Sequence, residues 1–183
     1  EDLKDLVDKL KSLFDWSNVV NFTVESDPRR VDEDRLLYNA KVCGANRISF
    51  GMQDFDLNVQ RRVNRIQPVE LFNNILTKKV REAYKTIAFD LLIGQPGQTP
   101  ETMANTCDQI NELKPTLVQL SLMAYKPWVA KYQIKMLTEG PLPDFLERKE
   151  LFEVIHKKLK AAGYIRAGFE CYSLPDDSMT KAA

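Results

Sequence analysis

The chain has 183 residues, 44% hydrophobic and 28% charged, proportions of an ordinary globular domain with one sizeable core. Lys plus Arg and Asp plus Glu each number 26, so the formal charge is zero and no cationic excess offers a general grip on nucleic acid. No apolar run approaches the roughly 20 residues that span a bilayer. Three dispersed cysteines, Cys43, Cys107 and Cys171, fit neither a disulfide framework nor a local metal pattern, so a reducing cytoplasm is expected.

Residues 1–16 place Leu3, Leu6, Val7, Leu10, Leu13 and Phe14 on one stripe at helical spacing, with Lys and Asp opposite. The β-branched run at 19–24 reads as a strand. Helical spacing returns over 32–43, with Leu36, Leu37, Ala40 and Cys43 on one face and Gly44 as the stop. A second strand is predicted at 47–50 and a short helix at 56–63. Pro68 then opens a longer helix carrying Leu71, Phe72, Ile75, Leu76 and Val80. The third strand is 86–93. Thr99 and Pro100 read as N-cap and first helical position of a helix running to Leu113, and 117–125 is the fourth strand.

Pro127, Gly140, Pro141 and Pro143 mark 127–143 as a long loop. A last helix over 144–162 turns Phe152, Ile155 and Leu159 inward, 164–172 is a last strand, and the tail beyond Pro175 is expected to fray. Strands alternating with helices through short links predict parallel βαβ units, hence an α/β fold. The opening helix has no strand before it, which leads to the expectation of a piece of a larger barrel or open sheet.

Ligands of such folds bind at the carboxyl ends of the strands, where the loops converge. Glu25 closes the first strand, Gln53 and Asp54 follow the second, and Met123, Ala124 and Tyr125 end the fourth. Each alone suits a solvated strand end. Asp90 differs, because it interrupts the apolar run Phe89-Asp90-Leu91-Leu92, where a carboxylate must find donors or lose its charge. Arg61, Arg62 and Arg65 read either as a solvated basic face or, for Arg65, as a fork for a ligand carboxylate. His156 and the cysteines read as packing residues. The loop Gly94-Gln95-Pro96-Gly97 lacks the lysine of a phosphate-binding loop and reads as structural.

Taken in order, several phrases resemble one family. They are Phe22-Thr23-Val24-Glu25 with Asp27-Pro28-Arg29, Asn46-Arg47-Ile48-Ser49-Phe50-Gly51-Met52-Gln53-Asp54-Phe55, Val63-Asn64-Arg65, Phe89-Asp90-Leu91-Leu92-Ile93-Gly94, Gln98-Thr99-Pro100, and Pro175-Asp176-Asp177. The set is similar to the oxygen-independent coproporphyrinogen III oxidases of the radical S-adenosylmethionine (SAM) superfamily, and covers nearly the whole chain. The resemblance implies a partial TIM-like barrel of parallel strands with flanking helices, about four of its six strands present. Residues 1–126 would form its central part and 127–183 a C-terminal extension.

It further implies SAM and a 4Fe-4S cluster as cofactors, with Glu25, Gln53, Arg65, Asp90 and Ala124 lining the SAM site. The implied reaction is oxidative decarboxylation of two propionates of coproporphyrinogen III to protoporphyrinogen IX, through a 5′-deoxyadenosyl radical. An electron donor for the cluster is the implied partner, with no nucleic acid and no membrane span. The family's CxxxCxxC motif and Gly-Gly-Thr-Pro segment are absent from the 183 residues. Both are expected before Glu1, so the chain by itself is expected to be inactive. Phe169-Glu170-Cys171-Tyr172-Ser173 stands where the family has Met-Asp-His-Phe-Ala. That departure gives a second expectation, a haem chaperone or haem-binding relative.

Overall fold

Alternation along the strands sorts apolar and polar side chains to opposite sides of one sheet. The computed structural model describes residues 2–183. Four strands, β1 (Thr23–Ser26), β2 (Arg47–Gln53), β3 (Thr86–Ile93) and β4 (Leu117–Leu122), run parallel in chain order. A hairpin of β5 (Ile165–Arg166) and β6 (Cys171–Ser173) completes the sheet, with β6 antiparallel to β4, in the order β1-β2-β3-β4-β6-β5. The α/β partial barrel expected from the sequence is present, with a mostly parallel sheet.

Ile48, Phe50 and Met52 of β2 share the apolar side with Ile87, Phe89, Leu91 and Ile93 of β3, Val118 and Leu120 of β4, and Tyr172 of β6, all buried. Phe72, from α4 (Val69–Ile75), is the hub of this core. Its ring lies 5.0 Å from Phe89, 5.3 Å from Phe55 and 5.9 Å from Phe50, in tilted or edge-on geometry. Helices α6 (Pro100–Leu113) and α8 (Phe145–Ala161) pack on each other and add Met103, Cys107, Ile110, Leu151, Ile155 and Leu159 to the same core. Both helices start on a capping box, Thr99 with Thr102 and Asp144 with Glu147.

The intervening residues take the other side: Thr23 and Glu25 of β1, Arg47 and Ser49 of β2, Thr86, Ala88 and Asp90 of β3, Leu117, Gln119 and Ser121 of β4, Cys171 and Ser173 of β6. This side is mostly polar.

Several local expectations are corrected. The first strand is confined to Thr23–Ser26, and Val19 and Val20 are exposed. In the opening helix, α1 (Asp2–Leu13), only Val7 of the stripe is buried, while Leu6, Leu13 and Phe14 are exposed. The helix predicted through Val80 is broken at Leu76, and Thr77 caps a separate α5 (Lys78–Ala83) by accepting from the Val80 amide. The loop at 127–143 contains α7 (Tyr132–Thr138). The last strand is instead the β5–β6 hairpin. The tail folds into α9 (Ser178–Ala182), capped by a buried Asp177 that also accepts from Thr86 Oγ1 at 2.7 Å. On α8, Leu151 is buried and Phe152 only partly so.

Candidate functional site

Parallel pairing brings the carboxyl ends of β1, β2, β3 and β4 to one rim. In register across the polar side, Glu25 lies beside Ser49, and Asp90 beside Gln119. Ser49 Oγ donates to Asp90 Oδ2 at 2.6 Å. Burial pushes the Asp90 carboxyl above the ordinary carboxylate range; the Ser49 hydrogen bond opposes this, and the charge of Glu25 adds to it. Glu25 and Asp90 therefore stand on the same face, close enough for one charge to act on the other. Among the described residues Glu25 makes no side-chain hydrogen bond and Asp90 accepts only from Ser49, so both keep acceptor capacity for a ligand.

A second group of polar residues gathers where β2 ends. The β2–β3 register shifts between Phe50 and Gln53, and Gln53 sits in the left-handed region at φ 70°. A non-glycine residue held there stores on the order of 1 kcal/mol. Behind it, the buried Asp54 carboxylate accepts from the Asp56 amide at 2.7 Å, Gln98 Nε2 at 2.6 Å and Thr106 Oγ1 at 2.8 Å. Burial pushes its carboxyl above the ordinary carboxylate range, against the pull of those donors. Asp54 thus pins the loop after β2 to the loop after β3 and to α6. In that second loop Gln98 Oε1 accepts from the amides of Gly94 and Gln95, so the glycine-rich turn is held by its own side chain, as expected for a structural loop.

Asp56 caps α3 (Leu57–Arg62), and Asn64, left-handed at φ 53°, reverses the chain so that Arg65 returns toward the sheet. Arg65 Nη2 donates to the Gly51 carbonyl at 3.0 Å, and Arg65 Nε to Gln67 Oε1 at 3.1 Å. A Cβ on Gly51 would stand 3.1 Å from that Nη2, so the absence of a side chain there allows the approach. Arg62 is partly buried, and its Nη1 donates to the Glu139 carbonyl at 2.6 Å, just past α7. Gln133, on α7, clasps the chain after β4, donating to the Ala124 carbonyl at 3.0 Å and accepting from the Lys126 amide at 2.6 Å.

These contacts enclose a cavity of about 570 Å³ whose walls include Gln53, Arg65, Leu92, Gln95, Met123 and Gln133. Gln53 and Arg65 thus meet in one cavity, and Glu25 and Asp90 meet on the polar face of the same sheet. Ala124 is exposed and lies outside that lining, next to Met123. A second cavity of about 530 Å³, between β4, the start of α8 and the β5–β6 turn, is mostly apolar and includes Leu122, Phe145, Phe152 and Phe169.

Of these residues Ser49, Gly51 and Gln67 carried no functional signal in the sequence. Ser49 stands opposite Ala88 in the β2–β3 register and reaches Asp90 diagonally, a relation that only the fold reveals; a glutamine such as Gln67 normally marks surface.

The donor set suits SAM, with carboxylates for hydroxyl or ammonium groups and a guanidinium for a carboxylate. The cluster is another matter. Cys43, Cys107 and Cys171 are all buried and apart, and among the described residues no group of three or more His, Cys, Asp or Glu side chains is placed to hold a metal ion. His156 shares a 2.9 Å hydrogen bond with the Tyr172 hydroxyl and is structural.

No family model matches the chain. Its fold is that of a radical SAM protein: superposed on the Escherichia coli coproporphyrinogen III oxidase, described as a radical SAM enzyme, it gives a TM-score of 0.86 at 30% identity over 98% of this chain and 41% of the other. Elp3 of Methanocaldococcus infernus, at 18% identity and a TM-score of 0.62 over 74% of this chain and 32% of its own, shares the fold alone. An anaerobic coproporphyrinogen III oxidase of Cereibacter sphaeroides is 35% identical over 178 residues, 97% of this chain and 39% of the relative. The oxygen-independent enzyme of Pseudomonas aeruginosa is 33% identical over 162 residues, 88% of this chain and 35% of the relative. The chain is homologous over nearly its whole length to the oxygen-independent coproporphyrinogen III oxidases, and spans about two fifths of the length of these relatives.

Proposed function

We propose that the chain supplies the SAM-binding wall of an enzyme that oxidatively decarboxylates two propionates of coproporphyrinogen III. The observation that carries this is the convergence, at one end and one face of the sheet, of Glu25 and Asp90 with the cavity holding Gln53 and Arg65. Glu25 and Asp90 offer acceptors for ribose hydroxyls or the methionine ammonium. Arg65 offers its remaining donors to the methionine carboxylate, Gln53 orients beside it, and Ala124, just outside the cavity next to Met123, flanks its rim. Bound SAM, with a reduced 4Fe-4S cluster whose ligands are not among the described residues, supplies hydrogen-atom abstraction. Glu25 is exposed and Gln53, Arg65 and Asp90 are partly buried, so a bound ligand would itself shield these groups from water and strengthen their hold. An external electron donor and a cytoplasmic setting complete the reading; no helix among the described residues is long and apolar enough to cross a membrane.

The test is anaerobic reconstitution of the protein expressed from its natural gene, with carbon dioxide release from coproporphyrinogen III and 5′-deoxyadenosine formation measured together. SAM-dependent formation of both is the expected result. Neither product in a preparation with an intact cluster overturns the assignment. One observation favours a second reading, haem binding: exposed Phe169 lies on the mostly apolar cavity, with Arg166 stacked between it and Phe152. Haem titration of the same preparation, giving stoichiometric binding without carbon dioxide release, would select it.

A further inference from the structure

A guanidinium on a four-bond stem has several rotamers of similar energy, so an arginine grips a carboxylate well only when something else has already oriented it. Around Arg65 that orientation comes from two fixed acceptors. One is the Gly51 carbonyl, part of β2. The other is Gln67, a side chain with no solvent exposure. Glutamine is uncommon in so closed a place unless its amide is satisfied, and here every polar group of the residue is engaged. The Gln67 amide N–H donates to Gln60 Oε1 at 2.9 Å, and its carbonyl accepts from Gln60 Nε2 at 2.8 Å. Gln60 Nε2 also donates to the Asp54 carbonyl at 2.8 Å, so the clasp is tied to the loop after β2. With its backbone locked, Gln67 points its amide oxygen at Arg65 Nε, and its Nε2 reaches Asp27 Oδ1 at 3.4 Å.

Asp27 lies in the loop after β1 and is itself held. Arg29 donates from Nη2 at 2.6 Å and from Nε at 2.9 Å, and its amide adds a third contact at 3.0 Å. Fixing the far end of the amide in this way selects which atom of Gln67 faces Arg65: the NH2 group turns to the carboxylate and the oxygen to the guanidinium. Two of the five N–H donors of Arg65 are thereby used on the protein, and three remain for a ligand in the cavity. We propose that Gln67, set by Asp27, is a positioning residue that orients the Arg65 guanidinium for the carboxylate of the bound amino-acid nucleoside. The proposal rests on the SAM reading above and adds to it a residue from a different loop, which couples the ends of β1 and β2 to one ligand group.

The experiment compares two ligands that differ by one group, SAM and decarboxylated SAM, in equilibrium binding to the cluster-loaded protein expressed from its natural gene. The native protein is expected to prefer SAM. In Gln67→Met, which keeps the volume and removes both the acceptor and the donor, SAM affinity should fall about tenfold while decarboxylated SAM binds as before. Asp27→Ala, a loop substitution outside the core, should give a smaller loss of about threefold with the same selectivity and serves if Gln67→Met does not fold. Equal losses for both ligands would show a merely structural role and overturn the proposal. So would native-like SAM affinity in both variants. A native protein indifferent to the carboxylate would instead overturn the Arg65 assignment beneath it, a separate outcome visible before any variant is made.

Discussion

The two faces of the sheet obey different rules. On one, Phe50, Phe89, Phe72 and their neighbours are buried and interchangeable in chemistry, and what matters is volume and shape. On the other, Ser49 is buried, Asp90 and Gln119 are partly buried, and the polar groups are incompletely satisfied by the protein itself. The first face makes the fold possible. The second keeps unspent hydrogen-bonding capacity, at some expense to stability. The lesson is that a strand of eight residues such as β3 serves both ends at once, because successive side chains point to opposite worlds.

The comparison predicts that substitutions on the two faces separate stability from binding. The largest effect belongs to the apolar face: Phe72→Ala should destabilise by roughly 3–5 kcal/mol, lowering the melting temperature by on the order of 10 °C. A thermal melt shifted by only a degree or two would mean that the core does not depend on its hub. Next, Arg65→Lys keeps the charge and loses the fork; SAM affinity measured by calorimetry should drop about tenfold with the melt nearly unchanged.

Asp90→Asn sharpens the contrast, since it should weaken SAM binding and raise the melting temperature. The sign follows from the upward shift of the native carboxyl. A carboxyl raised on folding contributes its full stability below the unfolded value of about 3.9 and loses it as pH climbs through the native value. The gap between variant and native melts should therefore widen with pH from about 3.9 and then level off. A gap that shrinks over that range would place Asp90 in a different environment. The smallest effect concerns the cover. Arg62→Ala removes the contact to Glu139, worth about 1 kcal/mol, and should speed limited proteolysis within 132–140 while leaving the global melt in place.

How much of this was legible in the sequence depended on the range of the interactions involved. β3 and α6 were read to the residue, because an apolar run with one carboxylate and a Thr-Pro start are local signals. Strand-end position pointed to Glu25, Gln53 and Ala124, fork chemistry to Arg65 and apolar surroundings to Asp90, while the family likeness joined the five into one expected site. The cover helix α7 was hidden among prolines; it is held by Arg62 from 77 residues away. The tail helix was hidden likewise, since the bond between Asp177 and Thr86 joins residues 91 apart. Gln67 was invisible for a third reason. Its importance comes from having no exposed surface, and composition says nothing about that.

The bent end of β2 has one more consequence. Gln53 holds a backbone shape that glycine would adopt without strain, and so does Asn64 at the turn before Arg65. An engineer seeking heat resistance would replace both with glycine and gain local ease, yet Gln53→Gly would remove a side chain from the cavity wall. Directed evolution for thermal tolerance and selection for catalytic turnover should therefore pull this corner of the molecule in opposite directions.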